Sequence, residues 1–188
     1  IMDMLVVLGQ NVPEAFHAGN GMKIVVAVMH LHSQYDAILT RGCTILALYF
    51  NFAAETNLIL PLSFSDSLVL DILRHCLLLG QNTNSLQIQM AAFAIGKLCR
   101  NTTHRAEVVL TDIPRLLINV MSVFNTDIQV QARGCFALWL MAHKNIIMQQ
   151  HLRAEGALFV VDNILVLPGA TPGSVKNARS LGEWMRSM

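Results

Sequence analysis

The stretch Arg133-Gly134-Cys135-Phe136-Ala137-Leu138 decides the fold, because its pattern has an earlier counterpart at Arg41-Gly42-Cys43-Thr44-Ile45-Leu46. The two copies start 92 residues apart, which is two steps of roughly 46 residues and within the range of helical repeats. A related segment, Ala91-Ala92-Phe93-Ala94-Ile95, lies between them. Each copy carries a small residue where two helices could cross closely. We therefore interpret the three segments as one helix that recurs.

The apolar residues around these segments follow a helical period near 3.6 and not the period of 2 that strands require. Turn signals separate the periodic stretches, as at Asn125-Thr126-Asp127, Gly156 and Pro168-Gly169. The spacing predicts units of three helices without strands. The predicted set is a short helix (146–154), a family of middle helices (22–32, 67–79, 113–124 and 157–167), and a long third helix (127–142).

The composition predicts that part of the surface is covered by other protein. Hydrophobic residues make up 54% of the chain and charged residues only 13%, against about 25% charged residues in a typical domain. The chain begins with Ile1, and residues 1–9 read as the tail of a preceding repeat. We expect a fragment of a longer protein.

Several classes of partner are disfavoured by the same sequence. The strongest apolar runs, 43–54 and 24–31, are shorter than the ~20 residues that cross a bilayer, so no transmembrane segment is predicted. A net charge of +1 gives no electrostatic case for nucleic acid.

The four cysteines have no C-x-x-C spacing and are interpreted as buried, reduced thiols of a cytoplasmic or nuclear protein.

The chain carries no pattern typical of catalysis. Its seven histidines form no H-E-x-x-H motif, and no G-x-S-x-G elbow is present. Gly19-Asn20-Gly21 lacks the neighbouring elements of a phosphate loop and is interpreted as a left-handed turn. Asn101-Thr102-Thr103 is interpreted as a helix cap. We predict a protein that is not an enzyme and has no cofactor and no metal.

Two motifs resemble the armadillo repeat family. Ala154-Glu155-Gly156-Ala157 is similar to the Gly-Ala that opens the family's second helix, and 134–142 is similar to the Ala-rich core of its third helix, with Gly134 in place of Ala. The resemblance implies an all-α, right-handed α-solenoid of about four three-helix repeats, here 10–53, 54–100, 101–143 and 144–188. HEAT repeats are the nearest structural rival.

In armadillo proteins that bind extended peptides, the third helix carries a Trp and, four residues later, an Asn. The resemblance places Thr44, Phe93 and Phe136 at the Trp position, and Leu48, Lys97 and Leu140 at the Asn position. Apolar side chains cannot satisfy the backbone of an extended peptide, so a partner helix or an apolar segment is favoured. The cations Arg41, Arg133 and Lys97 suit an acidic rim on that partner, although they could equally be solvated helix ends.

The sequence therefore predicts a non-catalytic protein-interaction scaffold or adaptor with a concave, largely apolar groove. The predicted groove residues are Arg41, Thr44, Leu48, Phe93, Lys97, Arg133, Phe136 and Leu140. Two further hypotheses stay open: a structural subunit of a large assembly, and a regulatory repeat region of an enzyme whose catalytic domain lies elsewhere. Trp139 and Trp184 are either binding residues or packing residues between repeats.

Overall fold

The computed structural model describes residues 13–18, 20–56, 68–80 and 84–187, and within these ranges the chain forms helices and turns without a strand. The all-helical prediction is confirmed. The helices are α1 (Pro13–Ala18), α2 (Gly21–Leu31), α3 (Asp36–Glu55), α4 (Leu68–Gly80), α5 (Ser85–Leu98), α6 (Thr102–Val109), α7 (Ile113–Val123), α8 (Ile128–Ala142), α9 (Ile146–Ala154), α10 (Ala157–Val166) and α11 (Pro172–Arg186).

The predicted middle helices correspond to α2, α4, α7 and α10, with ends that differ by one residue or less. The short helix predicted over 146–154 is α9, and the third helix predicted over 127–142 is α8, whose N-cap is Asp127. The predicted tail of a preceding repeat at 1–9 lies outside the described residues, as do residues 57–67 of the second predicted repeat.

The chain divides into two compact units, Ile1–Leu98 (unit 1) and Cys99–Met188 (unit 2). In unit 1 the long helix α3 packs mainly against α5. The middle helix α2 packs on α3, and the middle helix α4 packs mainly on α5. In unit 2 the long helix α8 packs mainly against α11, with α7, α9 and α10 around it. Each unit thus places side by side the two helices that the repeat prediction treats as third helices, α3 and α5 in unit 1 and α8 and α11 in unit 2.

The repeated glycines allow the close helix crossing that the sequence predicts. A Cβ atom on Gly134 would lie 2.6 Å from Sδ of Met121 on α7, a separation that real Cβ atoms do not show. A Cβ atom on Gly42 would meet the thioether of Met29 on α2 in the same way. Because both the glycine and the methionine recur at the same spacing, the same third-helix to middle-helix contact is built twice.

A second repeated contact was not predicted. In unit 1 the buried Gln87 donates from Nε2 to the backbone oxygen of Cys76, 2.9 Å away. In unit 2 the buried Gln131 donates from Nε2 to the backbone oxygens of Met121 and Phe124, at 2.6 and 3.0 Å. The last carbonyl groups of a helix have no partner within the helix. Gln131 therefore satisfies a carbonyl group in the last turn of α7. Cys76 lies one turn before the end of α4, so Gln87 adds a second hydrogen bond to its carbonyl group.

The turns between helices use the residue types that the sequence indicated. The Asn101 side chain accepts hydrogen bonds from the backbone N–H groups of Thr103 and His104, which confirms the predicted cap. Asn20 and Gly156 adopt left-handed conformations, with φ of 55° and 83°. Only glycine and, less often, asparagine adopt this region without strain, so these two residues fix sharp helix starts.

Helix α3 requires a correction to the membrane argument. Its apolar run is extended at both ends, and the resulting helix of 20 residues is long and apolar enough to cross a membrane by length and composition. Half of that segment is buried inside unit 1, as in the core helix of a globular domain. Among the described residues no other helix meets the same criteria.

All four cysteines are free and buried, as predicted. Burial raises the pKa of the Cys135 thiol from its ordinary value of 9.0 to about 12. The unfolded chain therefore loses this proton at a lower pH than the folded chain does. The thiol's contribution to stability is fully present below pH 9 and is lost as the pH rises from 9 towards 12.

We expect the free energy of unfolding to fall with rising pH above 9, with Cys135 contributing about 1.4 kcal/mol per pH unit. Urea unfolding under reducing conditions at pH 8, 9 and 10 measures this slope. In Cys135→Ala the slope should be shallower, whatever the variant's stability at pH 8. An unchanged slope in the variant would contradict this assignment.

Candidate protein-binding surface

In unit 1 the predicted groove residues of α3 and α5 lie on the part of each helix that is not buried. Arg41 is exposed, and Thr44, Leu48, Phe93 and Lys97 are half-buried. The opposite side of α3 is closed, since its core residues, among them Leu39, Cys43 and Leu46, are fully buried. We call this set of five residues the unit 1 surface.

Lys97 organises the polar part of the unit 1 surface. Its Nζ atom donates to Oδ1 of Asn51 on α3 at 2.6 Å and lies 5.0 Å from the centre of the Phe93 ring. The Nδ2 atom of Asn51 donates to Oε1 of Glu55 at 2.8 Å. The lysine thus spans two third helices and holds Asn51, whose amide would otherwise be available to a ligand.

Thr44 adds little polarity to the surface. Its hydroxyl donates to the backbone oxygen of Thr40, one turn earlier in α3, at 2.9 Å. The Thr44 methyl group is therefore the part of this side chain that a partner would contact. Together with Leu48 and the Phe93 ring, this makes the centre of the unit 1 surface apolar.

In unit 2 the predicted residues Arg133, Phe136 and Leu140 are all half-buried and lie at helical spacing on α8. The backbone oxygen of Leu140 accepts a hydrogen bond from Nη1 of Arg105 on α6, at 3.2 Å. This bond holds the end of α8 in place. We call these three residues, with Trp139, His143 and Trp184, the unit 2 surface.

Arg133 is a partly desolvated cation. Burial lowers the pKa of its guanidinium group, and the nearby Asp127 carboxylate opposes this shift. A carboxylate on a partner would act in the same direction as Asp127, because an opposite charge favours the charged form. The electrostatic environment at Arg133 therefore suits an acidic group.

Three aromatic rings form the other half of the unit 2 surface. The rings of Trp139 on α8 and Trp184 on α11 are stacked, with centroids 6.2 Å apart and planes at 20°. His143 lies against both, at 5.6 and 5.7 Å. Trp139 thus packs against α11, which is the packing role that the sequence left open beside a binding role. Both tryptophan side chains are half-buried.

The sequence argument missed His143 as a member of this surface. A signal was present, because Trp184 follows Trp139 by 45 residues, about one repeat, and His143 lies one helical turn after Trp139. Nε1 of Trp139 and Nδ1 of His143 are buried without a hydrogen-bond partner among the described residues.

Large apolar side chains are also exposed outside these two surfaces. In unit 2 they include Leu110 at 88% exposure, Ile147 at 80% and Phe159 at 68%. In unit 1 Leu31 is 73% exposed. These positions agree with the low charge of the sequence.

Within the described ranges, no group of three or more His, Cys, Asp or Glu side chains is placed to hold a metal ion.

Comparison with known proteins adds information on the fold only. No protein-family model matches the chain, and no curated protein matches its sequence. The crystal structure of an engineered protein is similar, with a TM-score of 0.73 over 97% of this chain and 70% of that one. The identity is 17%. The chain therefore shares an all-helical fold with that protein.

Proposed function

We propose that the chain is an armadillo-like α-solenoid of about four three-helix repeats that serves as a non-catalytic protein-interaction scaffold. The repeat assignment is supported by the contacts that recur within each unit: glycine against methionine, glutamine against a backbone oxygen of the middle helix, and third helix beside third helix. A repeat of this kind cannot bury its apolar faces alone, so stacking follows.

The observation that carries the functional proposal is the half-exposed, apolar face of the third helices in each unit. Phe93, Phe136 and Leu140 supply apolar area, and Arg41, Lys97 and Arg133 lie beside them. Affinity would come from apolar burial at about 25 cal/mol per Å², less the cost of association. The partner proposed is a helix or an apolar segment with acidic flanks, met in the cytoplasm or nucleus.

The test is affinity capture from a cell extract with the whole chain, followed by mass spectrometry, in parallel with Phe136→Asp as the surface variant. Phe159→Asp is the matched control, since it makes the same change at an exposed site of α10 that belongs to neither surface. Partners that are retained by the control and lost by Phe136→Asp support the proposal. Equal loss with both variants, or with neither, contradicts it.

A structural role in a larger assembly is a second candidate, favoured by the exposed Leu110 and Ile147. A scaffold that is free in solution should elute as a monomer, whereas an assembly part should self-associate through its uncovered apolar side chains. Size-exclusion chromatography with light scattering over a tenfold concentration range separates these outcomes.

A further inference from the structure

Two cysteine side chains meet in the core of unit 1. Sγ of Cys43 on α3 donates a hydrogen bond to Sγ of Cys76 on α4, and the two sulfur atoms are 3.6 Å apart. Both cysteines are free and fully buried. A disulfide bond is about 2.05 Å long, so the two sulfur atoms need to approach by only about 1.5 Å to form a bond between the helices.

The pairing does not recur at the equivalent place in unit 2. Cys135 occupies the same position in the second Arg-Gly-Cys segment as Cys43 does in the first. The middle helix that follows Cys43 is α4, and the middle helix that follows Cys135 is α10. Helix α10 contains no cysteine. The repeat therefore accounts for Cys43 and leaves Cys76 as a feature of unit 1.

While unit 1 is closed, the pair is protected from oxidation. The hydrogen bond with Cys76, together with burial, raises the pKa of the Cys43 thiol well above its ordinary value of 9.0. The thiolate is the reactive form of cysteine, and an oxidant does not reach a fully buried sulfur atom. Reaction therefore requires a local opening of α4 from α3, of the kind that folded proteins undergo continually.

We propose that Cys43 and Cys76 form a redox switch, which hydrogen peroxide converts into a disulfide between α3 and α4 when these helices open. The thiolate of one cysteine attacks a peroxide oxygen atom, and the O–O bond breaks. The products of this step are a sulfenic acid on that cysteine and, after proton transfer, one water molecule.

The second cysteine completes the reaction as unit 1 closes and brings the two sulfur atoms together. Its sulfur atom attacks the sulfenic sulfur atom, the S–S bond forms, and the S–O bond breaks with loss of a second water molecule. Over both steps the two thiols lose two electrons and two protons, and hydrogen peroxide is reduced to two water molecules. A dithiol reductant reverses the change by thiol–disulfide exchange.

The disulfide has a direct effect on unit 1. It joins positions that are 33 residues apart, which restricts the unfolded chain and stabilises the folded unit. It also fixes α4 to α3, the helix that carries Arg41, Thr44 and Leu48 of the unit 1 surface. The switch is independent of the proposed function, because it acts inside unit 1 whether or not the surface binds a partner.

Peptide mapping of the whole chain after exposure to hydrogen peroxide at neutral pH tests the proposal. Free thiols are alkylated before digestion, and the digest is analysed by mass spectrometry without reduction. We expect the cross-link between Cys43 and Cys76 to exceed every other cysteine pair at least tenfold. Urea below the unfolding transition should speed its formation severalfold, because it raises the population of the open state. Above the transition the preference for this pair should disappear.

Cys76→Ala should abolish the cross-link, and Cys135→Ala is the matched control that should leave it unchanged. The oxidised chain should unfold at a higher urea concentration than the reduced chain, and dithiothreitol should reverse this shift. The mapping of the unsubstituted chain carries the test if Cys76→Ala unfolds. Absence of the cross-link, a preference for another pair, or a rate that does not respond to urea below the transition would overturn the proposal.

Discussion

Leu140→Asp should weaken partner binding by about 100-fold, the effect typical of a central interface residue, while the helical content of the protein stays the same. Leu140 is half-buried on the unit 2 surface, so the carboxylate remains hydrated in the free protein. In a complex the same carboxylate would be desolvated against an apolar partner, which is strongly unfavourable. Titration calorimetry with a partner identified by capture measures the loss, and circular dichroism measures the helicity.

The carboxylate introduced by Leu140→Asp also affects the stability of α8, and this second effect needs its own control. Leu140 lies in the last turn of α8, where a negative charge opposes the helix dipole at a cost of about 0.3–1 kcal/mol. Leu140→Asn removes that charge and should still weaken binding, by a smaller factor. If Leu140→Asp instead abolishes the cooperative thermal transition, the residue belongs to the core of unit 2 and the groove assignment is wrong.

Gly134→Leu should destabilise the protein by about 1–3 kcal/mol, because it inserts a side chain into a packed helix crossing. The first added carbon would already overlap Sδ and Cγ of Met121, at 2.6 and 2.7 Å. Replacing a helical glycine with leucine also stabilises the helix, by up to about 1 kcal/mol. The measured loss in the free energy of unfolding is therefore a lower bound on the strain energy at the crossing. Chemical denaturation at pH 7 measures it.

A matched control is available on α11. A Cβ atom on Gly173 would have only Oγ1 of Thr171 within reach, at 4.0 Å, so Gly173→Leu should leave the stability nearly unchanged. In the double variant Gly134→Leu/Met121→Ala the truncated methionine makes room for the leucine. Its destabilisation should be smaller than the sum of the two single changes, as expected for residues in contact. Strict additivity would show that the helices do not meet at this point.

The positions of the helices could be predicted because they depend on local patterns. The middle helices and α9 follow from apolar spacing, and helix starts follow from residues such as Asn20 and Gly156, whose backbone preferences act within one turn. The close crossings at Gly42 and Gly134 could be predicted from the repeat alone. Their methionine partners could not, because side-chain direction between two helices depends on the crossing geometry.

The candidate surfaces stay a prediction, to which the structure adds contacts that the sequence did not indicate. The resemblance placed Lys97 at the position of a ligand-binding asparagine. Its hydrogen bond to Asn51 could not be predicted, because that bond depends on how α3 packs against α5. The same holds for His143, which joins Trp139 and Trp184 only after α8 and α11 lie side by side. The apolar run 43–54 also covers only part of α3, because the helix continues into polar residues at both ends.

By itself the sequence determined an all-helical chain and the bounds of six of the described helices, because apolar periodicity and capping act over a few neighbouring residues. Only the tertiary structure decided which half-buried side chains meet. It also decided that the buried Cys43 and Cys76 are in contact, although their positions are 33 residues apart along the chain. The physical reason is that such contacts depend on how two helices pack, and a spacing within one helix carries no information about its neighbour.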